Sequence, residues 1–293
     1  MTTAPILPED KFVEVNGNRI HYLDWGGDRT KKPFYMLHGI GGHAHSFDEL
    51  APHFTETHHV IAIDERGCGD SDWVKEGGYS AQAFAADIGK FAEVTGLYPF
   101  DYYGSSQGSR IGMPVGAFYG QYVDHLVLGD YGPLPDPSPA GRETAAKRLA
   151  GGPRVEKPKG FFSPQQAFDW HKENDPRAGS SDGEIWAAVE NLYRTNWDGI
   201  LIPKTDPEMW WQNGRTALKE GDFMWHSVKN ISCKTLVLRG EISTVLDKEQ
   251  AEKMAEAIPN GNGIMREVPK AGHGLHGENM EGALEILREF LAS

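Results

Sequence analysis

The feature that most limits how this chain can fold is a glycine-flanked serine that follows a run of aromatic residues. Residues 100–103 are Phe-Asp-Tyr-Tyr, and residues 104–108, Gly-Ser-Ser-Gln-Gly, match the pattern G-x-S-x-G. A segment with helical character, Arg110–Tyr119, comes next. This order predicts a strand, a very tight turn and a helix, with a strained backbone at Ser106 and its hydroxyl exposed at the end of the strand. Because Gly-Ser loops are common, the pattern gains weight only if the chain also supplies the partners that a reactive serine needs.

Composition narrows the class of protein. The chain has 293 residues, of which 39% are hydrophobic, enough for one large domain or for a core with an inserted lobe. The formal net charge of −13 argues against a nucleic-acid or membrane partner, and no run reaches the roughly 18 apolar residues of a membrane span. The first residues lack the basic and apolar segments of a signal peptide. We therefore expect a cytoplasmic protein, monomeric or homodimeric, that acts on a small molecule.

Strand and helix patterns alternate on both sides of the serine. Asn16-Gly17-Asn18 predicts a hairpin between strands at Lys11–Val15 and Arg19–Trp25. Short apolar runs predict five further strands, at Pro33–Leu37, His59–Ile63, Val123–Leu128, Thr235–Arg239 and Gly263–Val268. Helical spacing predicts helices at Phe47–Phe54, Ala81–Gly96, Lys248–Ile258 and Glu278–Leu291. The alternation predicts an α/β fold, with a mostly parallel central sheet flanked by helices.

The alternation stops in the middle of the chain. A proline-rich segment begins near Gly132, and six of the eight tryptophans lie between it and Asn230. We predict that residues 1–132 and 231–293 form the core and that residues 133–230 form an inserted helical lid. Three lid residues, Trp186, Trp210 and Trp211, are candidates for the wall of an apolar, ring-sized substrate pocket. The alternative is that these aromatic side chains form the core of the lid itself.

A serine hydroxyl needs a base to take its proton and donors for the oxyanion that its attack creates. His273 is the preferred base, because it lies in a glycine-flanked loop directly after a predicted strand. The carboxyl ends of parallel strands meet at one edge of a sheet, so Ser106 and His273 are expected to lie close together. The predicted oxyanion donors are two backbone amides: Gln107 at the start of the helix, and Ile40 in the glycine-rich loop 38–42.

Together these motifs resemble the α/β-hydrolase superfamily, in particular members with a serine nucleophile and a helical lid. The resemblance rests on residues 38–42, 64–71, 104–108 and 271–274, and it extends over about residues 11–291. It implies a Ser-His-Asp triad, hydrolysis through an acyl-enzyme, and no metal or organic cofactor. With a serine at residue 106, the chain is similar to esterases, lactonases, amidases and C–C hydrolases. Epoxide hydrolases and haloalkane dehalogenases place Asp there instead.

The acid of the triad is where the chain departs from the common pattern of the superfamily. Many members place it after the seventh strand, in a stretch similar to Arg-Gly-x-x-Ser-Asp. Here Thr244 occupies the position of that Asp, and threonine carries no negative charge to stabilise an imidazolium. Some lactonases and amidohydrolases of the superfamily place the acid after the sixth strand, where this chain has Asp130. We therefore prefer Asp130, with Asp247 and Glu241 as alternatives.

The expected reaction is cleavage of a carboxylic ester or lactone of a small substrate, and the lid tryptophans favour an aromatic one. The alternative is hydrolysis of a C–N bond in an amide or enamide of a small carboxylate, as in ring-degradation pathways, with Arg148 or Arg154 binding the carboxylate. A C–C bond hydrolase and a ligand-binding receptor are less favoured. Cys68 and Cys233 have no metal-ligand spacing, so no metal site is expected.

Overall fold

The computed structural model describes residues 6–74, 78–134, 158–174, 181–217 and 219–293. The strands within these residues are β1 (Glu9–Val15), β2 (Asn18–Asp24), β3 (Pro33–Leu37), β4 (His59–Ile63), β5 (Phe100–Ser105), β6 (Val123–Gly129), β7 (Tyr193–Thr195), β8 (Leu201–Pro203), β9 (Lys234–Gly240) and β10 (Gly263–Val268). The helices are α1 (Ala81–Thr95), α2 (Gln107–Phe118), α3 (Pro164–Asn174), α4 (Asp182–Leu192), α5 (Pro207–Ala217), α6 (Gly221–Val228), α7 (Lys248–Ala257) and α8 (Met280–Leu291).

Eight strands form one sheet, in the order β1-β2-β4-β3-β5-β6-β9-β10. β2 is antiparallel to both β1 and β4, and all the other neighbouring strands are parallel. The predicted fold class, a mostly parallel sheet flanked by helices, is confirmed. Because the parallel strands share one direction, the loops after β3, β5, β6, β9 and β10 all leave the sheet at the same edge.

The sheet separates two hydrophobic cores. Alternate side chains of β3 enter opposite cores: Tyr35 and Leu37 pack with α1, α2 and α7, whereas Phe34 and Met36 pack with α8. All five residues of β3 are buried. This is the burial expected of a parallel strand that is covered on both faces, and it explains why the strand appears in the sequence as a continuous apolar run.

Local sequence signals account for several element boundaries. The β1–β2 hairpin is confirmed: Asn16 and Gly17 have φ of 50° and 77°, the left-handed values that a two-residue hairpin turn requires. Ser80 caps the start of α1, where its side chain accepts a hydrogen bond from the Ala83 amide at 3.2 Å. Gly96 ends the same helix with φ of 68°.

The predicted helix over residues 47–54 was wrong. The chain there forms two separate 3₁₀ turns, Ala44–Phe47 and Ala51–Phe54. Pro52 explains the break, because in a continuous helix its ring would clash with the carbonyl of Asp48 and it has no amide to donate.

Between residues 158 and 230 the described residues form four helices, α3–α6, and the β7–β8 hairpin; we refer to this region as the lobe. Part of the lobe has a small core of its own, made by Phe161, Ala167, Phe168, Ile185, Val189, Tyr193 and Leu201. The lid boundaries at residues 133 and 230 stay a prediction, and Arg148 and Arg154 lie outside the described residues. Within the part of the chain that the structure describes, no helix combines the length and apolar character that crossing a membrane requires.

Candidate active site

Ser106 lies in the tight turn between β5, which ends at Ser105, and α2, which begins at Gln107. Its backbone has φ of 54° and ψ of −105°, values that a non-glycine residue rarely adopts. The backbone packs too closely at both flanking positions for any residue other than glycine. A Cβ on Gly104 would overlap the carbonyl group of Gly108, and a Cβ on Gly108 would overlap the carbonyl oxygen of Leu37. The strained turn therefore depends on glycine at both positions, as the sequence pattern indicates.

His273 lies in the loop after β10, with its Nε2 atom 3.0 Å from Ser106 Oγ. The side chain of Glu278 holds this loop on both sides of the histidine. It accepts hydrogen bonds from the amides of Gly272 at 2.6 Å and Gly274 at 2.8 Å. Sequence reasoning missed Glu278, because nothing in its local pattern distinguishes it from a solvent-exposed acid.

Asp130 follows β6 and completes a chain of hydrogen bonds. Its Oδ2 atom lies 2.7 Å from His273 Nδ1, and its side chain is fully buried. The carboxylate also accepts hydrogen bonds from the Gly240 amide at 3.1 Å and the Ser243 hydroxyl at 2.5 Å. Three polar neighbours thus surround one buried carboxylate and hold it in place beside His273.

The two alternative acids are engaged elsewhere. Asp247 caps the start of α7 by accepting a hydrogen bond from the Glu249 amide at 2.9 Å. Glu241 accepts a hydrogen bond from the Lys270 amide at 2.7 Å. The loop after β9, where many superfamily members have the acid, instead supplies Ser243 as a donor to Asp130.

The loop after β3 packs against Ser106. A Cβ on Gly39 would lie 3.4 Å from Ser106 Cβ, so the Gly39–Ile40 backbone lies directly against the serine. The loop is held to α2 by a hydrogen bond of 3.0 Å from the Gly108 amide to the His38 carbonyl. Gln107 is the first residue of α2, and the amide of a first helical residue has no partner within its helix.

A buried carboxylate beneath this loop, Asp64, joins several segments. It accepts hydrogen bonds from the Ala44 amide at 2.6 Å, the Asp70 amide at 2.8 Å and His21 Nδ1 at 2.7 Å. Burial acts to raise the pKa of Asp64, but the hydrogen bond from His21 and nearby histidines outweigh it, and the pKa lies below its usual range. Asp64 therefore fixes the loop after β4 against the loop that contains Ile40.

The three candidate pocket tryptophans occupy different places. Trp210 lies against the loop after β3, with its ring so near Gly41 that a Cβ there would overlap it. Trp211 is 63% exposed, with the Arg215 guanidinium 5.4 Å from its ring centroid. Trp186 stacks on Phe168, with ring centroids 4.5 Å apart, beside the small core of the lobe. The structure thus brings Trp210 against the loop that contains Ile40.

Sequence reasoning also missed a polar connection between the lobe and the nucleophile helix. Arg110, in the first turn of α2, is 1% exposed and donates hydrogen bonds to Asn213 and Glu220 of the lobe. A third lobe contact runs from Arg110 to Thr216 Oγ1 at 3.2 Å. Asn213 in turn donates to Gln107 Oε1 at 3.1 Å, next to Ser106. An arginine within an otherwise apolar helical segment was the one available signal in the sequence.

Comparison with known proteins identifies the family. The family model described as the alpha/beta hydrolase fold matches residues 32–279. The chain belongs to this family. Its curated relatives include the 3-hydroxybutyrate-oligomer hydrolase of Cupriavidus necator, which is 26% identical over 292 residues and 93% of each chain. An esterase of Mycobacterium tuberculosis is 24% identical over 97% of this chain and 90% of its own.

A solved structure also resembles the chain over its whole length. The E-2-(acetamidomethylene)succinate hydrolase superposes with a TM-score of 0.78 and 21% identity, over 98% of this chain and 100% of that one. At this identity the likeness supports the fold alone. The family and the curated relatives together identify the protein as a hydrolase.

Proposed function

We propose that the protein is a serine hydrolase that cleaves a carboxylic ester or lactone through an acyl-enzyme. The observation that best supports this is the continuous chain of hydrogen bonds from Ser106 Oγ to His273 at 3.0 Å and from His273 to Asp130 at 2.7 Å. A nucleophile, a base and an orienting carboxylate in this order are what acyl transfer from a serine requires.

In the first half of the reaction, Ser106 Oγ attacks the carbonyl carbon while its proton passes to His273 Nε2. Asp130 accepts the Nδ1–H hydrogen bond and stabilises the imidazolium that forms. The carbonyl oxygen becomes an oxyanion between the amides of Ile40 and Gln107, each a donor of the kind whose loss lowers kcat by about 10²–10³-fold. His273 then gives its proton to the leaving oxygen, and the alcohol departs.

In the second half, water replaces the alcohol. His273 takes a proton from that water, which attacks the acyl carbon bound to Ser106. The second oxyanion forms between the same two amides. When it collapses, the carboxylic acid leaves and His273 returns the proton to Ser106 Oγ. In a lactone the alcohol and the acid belong to one molecule, so a single hydroxy acid is released.

The curated relatives favour an ester over an amide. The relative whose name specifies an oligomer of 3-hydroxybutyrate, a chain of ester-linked units, matches 93% of each protein. The second candidate, C–N hydrolysis, is supported by the N-formylmaleamate deformylase of Pseudomonas putida, which is 31% identical over 47% of this chain. The ester relative matches 93% of this chain and the deformylase matches 47%, so we rank the ester first. Trp210 is the aromatic residue that we propose for the pocket wall.

The proposal is tested with wild type and Ser106→Ala. Both proteins are labelled with a fluorophosphonate probe and then assayed on p-nitrophenyl esters, aryl lactones and anilides. We expect the wild type to be labelled and to turn over esters or lactones faster than anilides, and Ser106→Ala to do neither. Faster turnover of anilides would favour the second candidate. An unlabelled wild type with a normal circular-dichroism spectrum would contradict the serine mechanism itself.

A further inference from the structure

The most unusual buried group outside the proposed triad is the carboxylate of Glu65. The residue is 3% exposed, and neither carboxylate oxygen has a hydrogen-bond partner among the described residues. Burying a carboxylate without a partner is costly, so such a group suggests that a ligand is its partner. Its nearest candidate co-ligands are His38 and Cys68: one ligand atom from each of the three residues lies within 4.8 Å of the others.

The donor set is chemically selective. One imidazole nitrogen, one carboxylate oxygen and one sulfur suit zinc and similar transition metals, whereas magnesium and calcium prefer sites made of oxygen alone. In a tetrahedral zinc site with bonds of about 2.0–2.3 Å, ligand atoms lie roughly 3.3–3.8 Å apart. The upper limit of 4.8 Å is wider than this, so the three side chains need only small inward movements to surround one ion.

The surrounding charges also favour a cation. Asp64 Oδ1 lies 4.0 Å from His38 Nε2, which places a second buried carboxylate beside the three residues. Arg110 is the nearby positive charge that opposes binding, but its guanidinium is already paired with the Glu220 carboxylate. A second cluster of potential metal-binding side chains, which includes His21 and Asp64, already forms hydrogen bonds within the protein.

We propose that His38, Glu65 and Cys68 form a binding site for one transition-metal dication of the zinc class, and that its occupation inhibits the hydrolase. Cys68 binds as the thiolate and Glu65 as the carboxylate. Burial raises the pKa of both groups, and the protons that they carry are released to solvent on binding. The ion takes the position on His38 Nε2 that the Glu65 amide now occupies at 3.2 Å. The site is inhibitory and is separate from the proposed chemistry, which needs no metal.

Metal binding is expected to inhibit the enzyme because two of the proposed ligands, His38 and Cys68, are connected to the loop that contains Ile40. His38 directly precedes Gly39 and Ile40, and its Nδ1 atom lies 2.8 Å from the Gly39 carbonyl. The amide of Gly41, in the same loop, is a hydrogen-bond donor to the Cys68 sulfur. Drawing both side chains toward an ion therefore moves the loop that contains the Ile40 amide. This part of the inference rests on the proposed role of that amide, whereas metal binding itself does not.

The binding test uses Cd²⁺, whose bond to a thiolate gives an ultraviolet charge-transfer band. The full chain, freed of metal with a chelator, is titrated as wild type, Cys68→Ser and Cys233→Ser. Cys233 is the matched control, because it is the other buried free cysteine. We expect one Cd²⁺ per chain in wild type and Cys233→Ser, and loss of the band with at least about tenfold weaker binding in Cys68→Ser. An unchanged band in Cys68→Ser, or no band in wild type, would overturn the site.

A second measurement uses wild type alone and so does not depend on the folding of a variant. Alkylation of each cysteine is followed by peptide mass spectrometry with and without Zn²⁺. We expect Zn²⁺ to slow alkylation of Cys68 and to leave that of Cys233 unchanged; equal rates for Cys68 with and without Zn²⁺ would count against the site. Ester turnover is then measured at the same Zn²⁺ concentrations. Full turnover at saturating Zn²⁺ would contradict the inhibitory role but not the binding site. If the protein had no esterase activity, the proposed function would fail, and the Cd²⁺ and alkylation measurements would still test metal binding.

Discussion

The edge of the sheet around Ser106 and the lobe are built in different ways. At the sheet edge, hydrogen bonds from backbone amides position the reactive groups: the Gly240 amide donates to Asp130, and the Gly272 amide, next to His273, donates to the Glu278 side chain. The lobe contacts this edge through side chains, chiefly Asn213 on Arg110 and Trp210 on Gly41. We infer that the sheet edge determines the chemistry and that the lobe determines which substrates reach it. Changes at the edge should therefore lower kcat, and changes in the lobe should act mainly on KM.

The largest expected effect at the sheet edge comes from Asp130→Asn. An amide cannot stabilise the imidazolium and favours the wrong histidine tautomer, so kcat should fall by about 10⁴-fold. The control is Asp247→Asn, since asparagine caps a helix as well as aspartate does and kcat should stay normal. Steady-state kinetics on one ester compares the two. Near-normal turnover in Asp130→Asn with a large loss in Asp247→Asn would reverse the assignment of the acid.

A smaller effect is expected from Ser243→Ala, which removes the hydroxyl that donates to Asp130 at 2.5 Å. A hydrogen bond to a charged group contributes about 1.5–3 kcal/mol, so kcat should fall by roughly tenfold or more while KM changes little. Thr244→Ala is the control, because the adjacent Thr244 is exposed. If both variants lowered kcat equally, the effect would belong to the loop and not to the hydrogen bond.

These two regions also differ in how far the sequence predicts them. The strands and the turn at Ser106 follow from local patterns, apolar runs and paired glycines, and Asp130 was preferred because Thr244 replaces the usual acid. The partners Ser243 and Glu278 were missed, since Ser243 reaches Asp130 across 113 positions of the chain. Contacts between residues so far apart in the sequence depend on the order of the strands in the sheet, which no local sequence pattern encodes. The same reason hid the proximity of His38 to Glu65 and Cys68.

In the lobe, Asn213→Ala is expected to act on substrate binding. The change leaves Arg110 and Gln107 each without one hydrogen-bond partner, at a cost of about 1–3 kcal/mol, and loosens the contact between α5 and α2. We expect KM to rise by roughly tenfold with a smaller change in kcat, together with a lower Tm. Gln212→Ala, the neighbouring and less buried position, is the control. A fall in kcat with constant KM would place Asn213 with the chemistry and contradict the division of roles.

Trp210→Ala should change selectivity more than rate. Its ring covers Gly41, so removing it widens the approach to the loop of Ile40. The ratio of kcat/KM between a bulky and a small ester should shift by roughly fivefold in favour of the bulky ester. Trp197→Ala removes a tryptophan that is fully exposed in the turn between β7 and β8, and it should leave this ratio unchanged. Equal shifts in both variants would exclude a specific role for Trp210.

The smallest effect on turnover is expected at the opposite edge of the sheet, where Asp101 lies near the start of β5. Its buried carboxylate lies 2.8 Å from His125 Nδ1 and 3.0 Å from His58 Nε2. Burial acts to raise the pKa of Asp101, but the hydrogen bonds from His125 and His58 outweigh it, and the pKa lies below its usual range. The contact therefore contributes stability above the pKa of an unfolded aspartate, about 3.9, and loses it as pH falls through the lower folded value.

Asp101→Asn should accordingly lower the free energy of unfolding at pH 7 by about 1–3 kcal/mol, and the difference from wild type should shrink below about pH 4. Because Asp101 lies at the far end of the strand from Ser106, kcat at pH 7 should not change. Urea unfolding at several pH values, with ester turnover at pH 7, measures both quantities. Asp124→Asn is the control: its carboxylate forms a more exposed ion pair with Lys32 at 2.9 Å, and such pairs contribute little. A stability difference that stayed constant down to pH 3 would show that packing, and not the charge of Asp101, supports this edge of the sheet.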